Sequence, residues 1–380
     1  MTHPTSQRIH SIDAVRAVAL LGILLVHAHD YFNLAGPGAQ PAGIADAPLN
    51  FIYGNILVSR AFMIFSFLFG LSFFLQMDHA RARGQRFAAR FCWRLFLLAG
   101  FGVIHSFFYN GDILIIFAIT GYFLVSVWRV PSWLIACLAG VFLLQPLALY
   151  HAITGIPEAM SGWAHQVRCA LGCTNAPDYQ AASFWEIGVW NLRSGIINSF
   201  LYTTYSYRIW SILAMFLLGL LAGRTRLFEG ARSRLYKVAG ISAALWLAVV
   251  AFRLIPGTQF LSIATDMWER AAFVGACTPL LALLVSKPGL SKAVFPLTQI
   301  GRCTLTCYIS QSIILCWALC GYGLGLCPVL SVTGVMLLAL AVYVGQVVFC
   351  TYWLKHFRYG PLEGVWRRLT RIGLPAPQTK

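Results

Sequence analysis

The chain has 380 residues, of which 59% are hydrophobic and 11% are charged, and its formal net charge is +16. A typical soluble domain has about 25% charged residues, so this composition excludes an ordinary soluble protein and predicts a polytopic protein of the lipid bilayer. The net charge does not indicate a nucleic-acid partner, because the lysines and arginines lie in short clusters between apolar segments. That distribution is typical of the cytoplasmic loops of membrane proteins.

A window of about 20 residues predicts ten membrane-spanning helices. They lie at about residues 14–30, 56–77, 91–109, 113–128, 133–153, 209–223, 238–255, 267–285, 295–320 and 330–354. The predicted fold is therefore all-α, a polytopic transmembrane helix bundle of about ten spans. Residues 1–380 are predicted to form a single integral membrane domain.

The distribution of basic residues predicts that both termini lie in the cytoplasm. With that orientation, 20 lysines and arginines lie in inner segments and 3 in outer segments, as the positive-inside rule requires. The longest loop, about residues 154–207, is then extracytoplasmic, and the basic tail, about 355–380, is cytoplasmic. The loop contains a possible interfacial or re-entrant helix from Phe184 to Tyr202. Its two cysteines, Cys169 and Cys173, either form a disulfide or remain free thiols.

The first apolar segment carries Arg16 and His27, eleven residues apart, and Asp30 follows. In a helix this spacing returns to within about 20° of the same face and separates the two residues by about 16 Å. One stripe would therefore hold a cation near one membrane surface and an imidazole near the other. Such polar groups in a membrane helix usually face the protein interior or a wet cavity, so the stripe predicts a functional site.

The third apolar segment repeats this arrangement. Arg94 and His105 are again eleven residues apart, Arg90 precedes Arg94 by one turn, and Asp112 follows in a tight turn. Two arginines on one face suit phosphate oxygens, although each alone is also explained as a positive charge on the cytoplasmic side. A histidine oriented by a carboxylate suits a general base. Because no tight ligand spacing is present, we expect no metal site.

The ninth apolar segment is unusually polar and reads GRCTLTCYISQSIIL. Four of its side chains fall near one face: Thr304, Tyr308, Gln311 and Ser312. They either form hydrogen bonds between helices or line a polar substrate cavity. In the eighth segment, Arg270 is placed to pair with Asp266 at i, i+4.

Several stretches carry a resemblance to a known family. They are IDAVRAVALLGILL, FSFLFGLSFFLQ, RLFLLAGFGVIHSFFYNGDILIIFAITGY, GRCTLTCYISQSIIL and FRYGPLEGVWR. Together they resemble the YeiB family of bacterial membrane proteins over nearly the whole chain. That family is similar to a wider transmembrane acyltransferase superfamily, which includes acyltransferase family 3 and the heparan glucosaminide acetyltransferase.

The arginine-x10-histidine pattern of acyltransferase family 3 matches Arg16 to His27, and its arginine-x3-arginine pattern matches Arg90 to Arg94. Two positions depart from YeiB-like sequences, which usually have asparagine in place of His27 and glycine in place of Ala17. The first departure leaves open whether His27 or His105 is the principal base.

The resemblance implies an acyltransferase of the bacterial inner membrane. It would move an acyl group, acetyl in the first instance, from cytoplasmic acetyl-CoA or another acyl-CoA to an extracytoplasmic acceptor such as a sugar hydroxyl or amine. The residues implied to hold the CoA phosphates are Arg16, Arg90 and Arg94, with pairing to Asp13 as the alternative for Arg16.

In the same scheme His27, His105 or both deprotonate the acceptor. Their orienting carboxylates would be Asp30 and Asp112, and the polar face of the ninth segment would position the thioester or the acceptor. The alternative function is a transporter of a small polar or lipid-linked solute, since intramembrane ionisable residues serve transport equally well. The sequence leaves open whether transfer is direct or passes through an acyl-histidine intermediate. It also leaves open the acyl chain, the acceptor's identity, a scaffold role and assembly into a homo-oligomer.

Overall fold

The structure is a computed structural model that describes residues 10–36, 43–84, 87–154, 157–258 and 261–372. All regular structure in these residues is helical, which confirms the predicted all-α bundle. The α-helices are α1 (His10–Ala35), α2 (Asp46–Ile52), α3 (Arg60–Ala82), α4 (Phe87–Phe108), α5 (Leu114–Val127), α6 (Ser132–Leu144), α7 (Pro146–Thr154), α8 (Pro157–Ala170), α9 (Phe184–Tyr205), α10 (Arg208–Arg224), α11 (Arg232–Arg253), α12 (Ser262–Val285), α13 (Pro288–Arg302), α14 (Thr304–Leu319), α15 (Val332–His356) and α16 (Pro361–Leu369).

Among the described residues, seven helical segments are long and apolar enough to cross a membrane. An eighth is added if α9 and α10, which are bent by 80° at their junction, count as one broken span. The apolar helices α5 and α14 are shorter, with 14 and 16 residues. The chain is therefore a membrane protein in which each of the ten predicted segments contains a helix. The number of crossings and their sidedness stay predictions.

The prediction of one continuous helix at residues 295–320 is wrong. Helix α13 ends at Arg302, and α14 begins at Thr304 after a break at Cys303. A close approach to α1 accompanies the break, because a Cβ atom on Gly301 would lie 1.9 Å from the Asp13 carbonyl oxygen. Only glycine fits against the α1 backbone at this point.

Helix α1 lies at the centre of the bundle and packs against α3, α13, α14 and α15. Its buried apolar residues belong to two hydrophobic clusters, one shared with α14 and α15 and one shared with α3 and α10. Helices α3 and α10 approach closely at Gly70 and Gly219, where an added Cβ would lie 2.0 Å from a carbonyl oxygen of the other helix. Small residues commonly permit such contact between membrane helices.

The short amphipathic helix α16 is fastened to the start of α14 by Glu363. Its carboxylate accepts hydrogen bonds from the backbone N–H groups of Leu305 (2.7 Å) and Thr306 (3.1 Å), and from the Thr306 hydroxyl (2.6 Å). These N–H groups have no partner within their own helix, so a carboxylate from another helix satisfies them and complements the helix dipole. The Trp366 indole also donates to the Arg94 carbonyl oxygen at 3.2 Å.

We expect Glu363→Ala to destabilise the protein by about 1–3 kcal/mol, because it leaves two backbone donors and a hydroxyl without their acceptor. The thermal unfolding midpoint in detergent measures the loss. Glu363→Gln retains an acceptor oxygen and should lose less. The matched control is Glu229→Ala, which removes an exposed glutamate 3.6 Å from Arg226. Equal midpoints for the two alanine variants would contradict the role assigned to Glu363.

Candidate functional site

A chain of buried hydrogen bonds joins α4, α14 and the turn between α4 and α5. The His105 Nδ1 atom lies 2.7 Å from Asp112 Oδ1, and its Nε2 atom lies 2.8 Å from Ser312 Oγ. All three side chains are almost fully buried. The second carboxylate oxygen of Asp112 accepts from the Ile115 N–H at 3.0 Å and so caps the start of α5. This cap and the tight turn fix the carboxylate beside the imidazole.

Helix α1 brings the second histidine to the same place. The His27 Nδ1 atom lies 3.5 Å from Ser312 Oγ, so this hydroxyl stands between two imidazoles whose centroids are 6.4 Å apart. The His27 ring packs on Tyr109 at 4.0 Å, and the His105 ring packs on Tyr308 at 4.5 Å. The two predicted Arg-to-His stripes therefore do converge at their histidine ends.

The distances between heavy atoms are compatible with one direction of donation along this chain. If the Asp112 carboxylate accepts from His105 Nδ1–H, His105 Nε2 is an acceptor. The Ser312 hydroxyl can then donate to His105 Nε2 at 2.8 Å and accept from His27 Nδ1–H at 3.5 Å. In that arrangement His27 Nε2 carries a lone pair, and the tautomers of both histidines follow from Asp112.

Asp30 hydrogen-bonds to two tyrosines. Its two carboxylate oxygens accept hydrogen bonds from the hydroxyls of Tyr53 and Tyr109, each at 2.8 Å. Asp30 is thus linked to His27 through Tyr109, on whose ring His27 packs. Sequence reasoning missed both tyrosines, although Tyr109 lies one helical turn after His105 and could have been found by that spacing.

The four polar residues of α14 divide into two pairs. Ser312 and Tyr308 face the histidines, and the Tyr308 hydroxyl lies 3.5 Å from Asp112 Oδ1. Gln311 instead donates to Gln346 of α15 at 2.9 Å, and Thr304 bonds back to the Gly301 carbonyl oxygen at 2.9 Å. The latter pair thus fits the interhelical and local hydrogen-bonding alternative.

A cavity of about 550 Å³ borders this hydrogen-bond chain. His27, Asp30, Tyr109 and Asp112 line it, whereas His105 and Ser312 are not among its lining residues. Its volume is typical of small-molecule sites.

The lining of the cavity also includes polar residues that sequence reasoning missed. They are Arg168, Asn198 and Arg208. Arg168 Nε and Asn198 Oδ1 are buried and have no hydrogen-bond partner among the described residues. Buried polar atoms are usually paired, so these two fit a cavity that receives a polar ligand or water.

Two irregularities of the backbone also border the cavity. Residues Tyr53–Leu57 form a single π-helical turn, and Ser59 has a φ of 67°. Both belong to the segment that leads into α3, and Tyr53, Leu57 and Ser59 line the cavity. Such π-turns and left-handed non-glycine residues occur often at functional sites.

The predicted phosphate-binding arginines lie away from the histidines. Arg16 pairs with Asp13 at 2.8 Å and donates to Ser72 Oγ at 2.5 Å, so the alternative partner for Arg16 is present. Arg94 stacks over the Trp366 ring at 4.3 Å. Its guanidinium also lies close enough to those of Arg90 and Arg367 to be repelled by them.

Two further expectations from the sequence are tested by the structure. Cys169 and Cys173 are free thiols. The predicted pair of Arg270 and Asp266 is confirmed, with a separation of 3.4 Å. Within the part of the chain that the structure describes, no group of three or more His, Cys, Asp or Glu residues is placed to hold a metal ion.

Gly102 gives a test of how tightly the Asp112 carboxylate is held. An added Cβ there would lie 2.8 Å from Asp112 Oδ2 and 2.6 Å from Ile115 Cγ1. We expect Gly102→Ala to cost about 1–3 kcal/mol of stability through overpacking, read as a lower thermal midpoint. Gly100→Ala on the same helix is the control, because its Cβ would meet nothing within 4 Å. Equal stability of the two variants would contradict the packing described here.

A protein family and several bacterial proteins are similar to this chain. Residues 222–373 match the family described as "Protein of unknown function (DUF418)". The chain is 28% identical to Uncharacterized protein YxaH of Bacillus subtilis, over 97% of this chain and 95% of the relative. It is also 28% identical to Uncharacterized protein YeiB of Escherichia coli, over 96% of each chain. An uncharacterized 39.9 kDa protein of Bacillus acidopullulyticus is 26% identical, over 96% of this chain and 94% of the relative.

Proposed function

We propose that this chain, which is similar to the YeiB and YxaH proteins over nearly its whole length and matches the DUF418 family over residues 222–373, is an acyltransferase of the bacterial inner membrane. The donor is cytoplasmic acetyl-CoA or another acyl-CoA, and the acceptor is an extracytoplasmic hydroxyl or amine, for example of a sugar. The observation that carries the proposal is the buried chain from Asp112 through His105 and Ser312 to His27 at the cavity wall.

This chain suits general acid–base catalysis because it prepares one nitrogen for proton transfer. His27 Nε2 is left as the acceptor, and His27 is the histidine that lines the cavity. His105 and Asp112 hold the tautomer and stabilise the positive charge that His27 acquires. The two histidines thus take different roles, with His27 as the base and His105 as a positioning residue.

The proposed transfer is balanced in atoms and protons. The acceptor oxygen or nitrogen attacks the thioester carbonyl carbon while its proton passes to His27 Nε2. The carbon–sulfur bond then breaks, and the CoA thiolate leaves and receives that proton as a thiol. Because one imidazole takes and returns the proton, the site needs no metal and no further co-reactant.

The arginine ends of α1 and α4 supply the donor side of the proposal. An eleven-residue separation in a helix places each arginine about 16 Å from its histidine. The phosphate groups of a donor held at the cytoplasmic end of the bundle would thus lie about 16 Å from the base. Of the three predicted arginines, Arg16 pairs with Asp13, whereas Arg94 lies near two other guanidinium groups, those of Arg90 and Arg367.

The acceptor would occupy the cavity beside His27. Arg168 and Asn198 offer a donor and an acceptor atom without protein partners there. A sugar or another polyhydroxyl compound provides hydrogen-bonding groups of both kinds, so these atoms would orient it with a hydroxyl at His27.

A transporter remains the second candidate, and the bend between α9 and α10 favours it. Arg208 begins α10 directly after this 80° bend and lines the same cavity. Broken helices with ionisable residues at a midplane cavity are common in transporters. A transporter would move a small polar or lipid-linked solute without consuming acyl-CoA.

We expect His27→Ala to lower the rate of acyl transfer by about 100-fold or more, since general acid–base catalysis contributes roughly 10²–10⁴-fold. Ser312→Ala and Asp112→Asn should lower kcat less and should alter the pH profile, because they change the hydrogen bonding of His27 without removing it. The measurement is release of free CoA from acetyl-CoA by purified protein with candidate sugar acceptors.

The matched control is Ser66→Ala. Ser66 is as deeply buried as Ser312, but its hydroxyl bonds only the Phe62 carbonyl oxygen within its own helix. The Ser66→Ala variant should keep full activity. The proposed mechanism would be contradicted by full activity in a His27→Ala/His105→Ala double variant. Solute uptake into vesicles without CoA release would establish the transporter instead.

A further inference from the structure

A second pocket, of about 420 Å³, is lined by five arginines and one tyrosine. The lining residues are Arg83, Arg302, Arg358, Tyr359, Arg367 and Arg371. They come from the end of α3, the break between α13 and α14, and the segment around α16. The end of α3 and the segment around α16 are predicted to lie on the cytoplasmic side, whereas Arg302 lies within the predicted ninth span. We therefore expect the pocket near the cytoplasmic end of the bundle, away from the predicted position of the histidines.

Basic residues tend to face the cytoplasm, which explains on which side of the membrane most of these arginines lie. It does not explain why they converge on one pocket. The arginines around this pocket come from sequence positions as far apart as 83 and 371. Like charges that share one concave site repel each other, and the site focuses their field. No acidic side chain is among the lining residues that the structure describes. The nearby carboxylate of Glu363 is turned towards the start of α14.

The shape and chemistry of the pocket favour a ligand with several phosphate groups. Guanidinium groups bind phosphate oxygens in a bidentate way, and five of them exceed what a single phosphate can use. The volume lies within the roughly 300–1,000 Å³ of small-molecule sites. The pocket also offers Tyr359, whose ring lies 4.3 Å from the Arg367 guanidinium. Arginine and aromatic faces together suit a nucleotide, which combines phosphates with a flat base.

Helix α14 runs from the neighbourhood of the pocket to the histidine site. Its first residue, Thr304, follows the pocket residue Arg302 by two positions, and Ser312 lies eight residues later, about 12 Å along the axis. Glu363 fixes α16, which carries Arg367, to the same end of α14. Arg367 also lies near Arg94 of α4. The pocket therefore adjoins the arginines expected from the sequence and extends that basic surface with residues of the C-terminal segment.

We propose that this arginine pocket binds the phosphate groups of a soluble nucleotide. Resting on the proposed function, we assign the nucleotide end of acyl-CoA as its ligand, with the C-terminal helix α16 as one wall of the site. Lipid headgroups share the phosphate chemistry, so the experiment separates the two sources.

The experiment measures binding of adenosine 3′,5′-bisphosphate to the full chain in nanodiscs of zwitterionic lipid, with adenosine as the phosphate-free control. The pocket variant combines Arg358→Gln, Arg367→Gln and Arg371→Gln, all of which are exposed. The control variant combines Arg232→Gln, Arg234→Gln and Lys237→Gln, which are equally exposed and equally charged but lie at the start of α11. Thermal midpoints establish that both variants are folded.

We expect saturable binding of the bisphosphate and none of adenosine. The pocket variant should raise Kd on the order of 100-fold, because charge-assisted hydrogen bonds are lost. The control variant should change Kd by less than about threefold, since distant exposed charges are screened by salt. Absence of saturable binding, or equal weakening in both variants, overturns the proposal. Preferential binding of the wild type to vesicles containing anionic phospholipid, without nucleotide binding, assigns the pocket to lipid and also overturns it.

This test is independent of the acyl-transfer proposal, because the bisphosphate carries no acyl group and no acceptor is present. Bisphosphate binding without CoA release would support the nucleotide site and contradict the acyl-transfer proposal. CoA release without bisphosphate binding would support acyl transfer and contradict the nucleotide site.

Discussion

Inside an apolar bundle, each polar group must find its partner within the protein, because leaving it unpaired costs several kcal/mol. The structure meets this constraint by pairing groups across helices. Arg60 of α3 binds the buried Glu269 of α12 at 2.7 Å, and Trp246 of α11 donates to the same carboxylate. Asp112 likewise bonds an imidazole of α4 and a backbone N–H of α5. Buried carboxylates thus link neighbouring helices at these points.

The same constraint distinguishes structural polar groups from functional ones. Arg60, Trp246 and Glu269 hydrogen-bond to one another across helices, and none of the three lines either pocket described above. The chain that ends at His27 differs, because His27 lines a cavity. Under the proposed function, a hydrogen-bond chain that reaches a cavity suits the movement of a proton.

Much of this organisation was accessible from the sequence, and the remainder was not, for physical reasons. Helical periodicity places Arg16 with His27 on one helix and Arg94 with His105 on another, and both helices are present. Periodicity within one helix does not say which of two adjacent residues faces a neighbouring helix. Ser312 meets the histidines, whereas Gln311 turns to Gln346, and only the packing of three helices decides this. The break at Cys303 likewise depends on the contact of Gly301 with α1.

The arginine pocket shows the limit of charge counting most clearly. Taken in sequence order, four of its arginines are conventional cytoplasmic charges, and Arg302 lies within a predicted span. A count of charges therefore does not predict that they share one pocket. Their convergence requires α16 to fold back onto α4 and α14, which rests on Glu363 and Trp366. The fold thus gathers repelling charges around one concave site at a cost in stability, and a bound anion would offset that cost. The sequence predicts on which side of the membrane four of these arginines lie. Whether several arginines line one pocket depends on tertiary contacts.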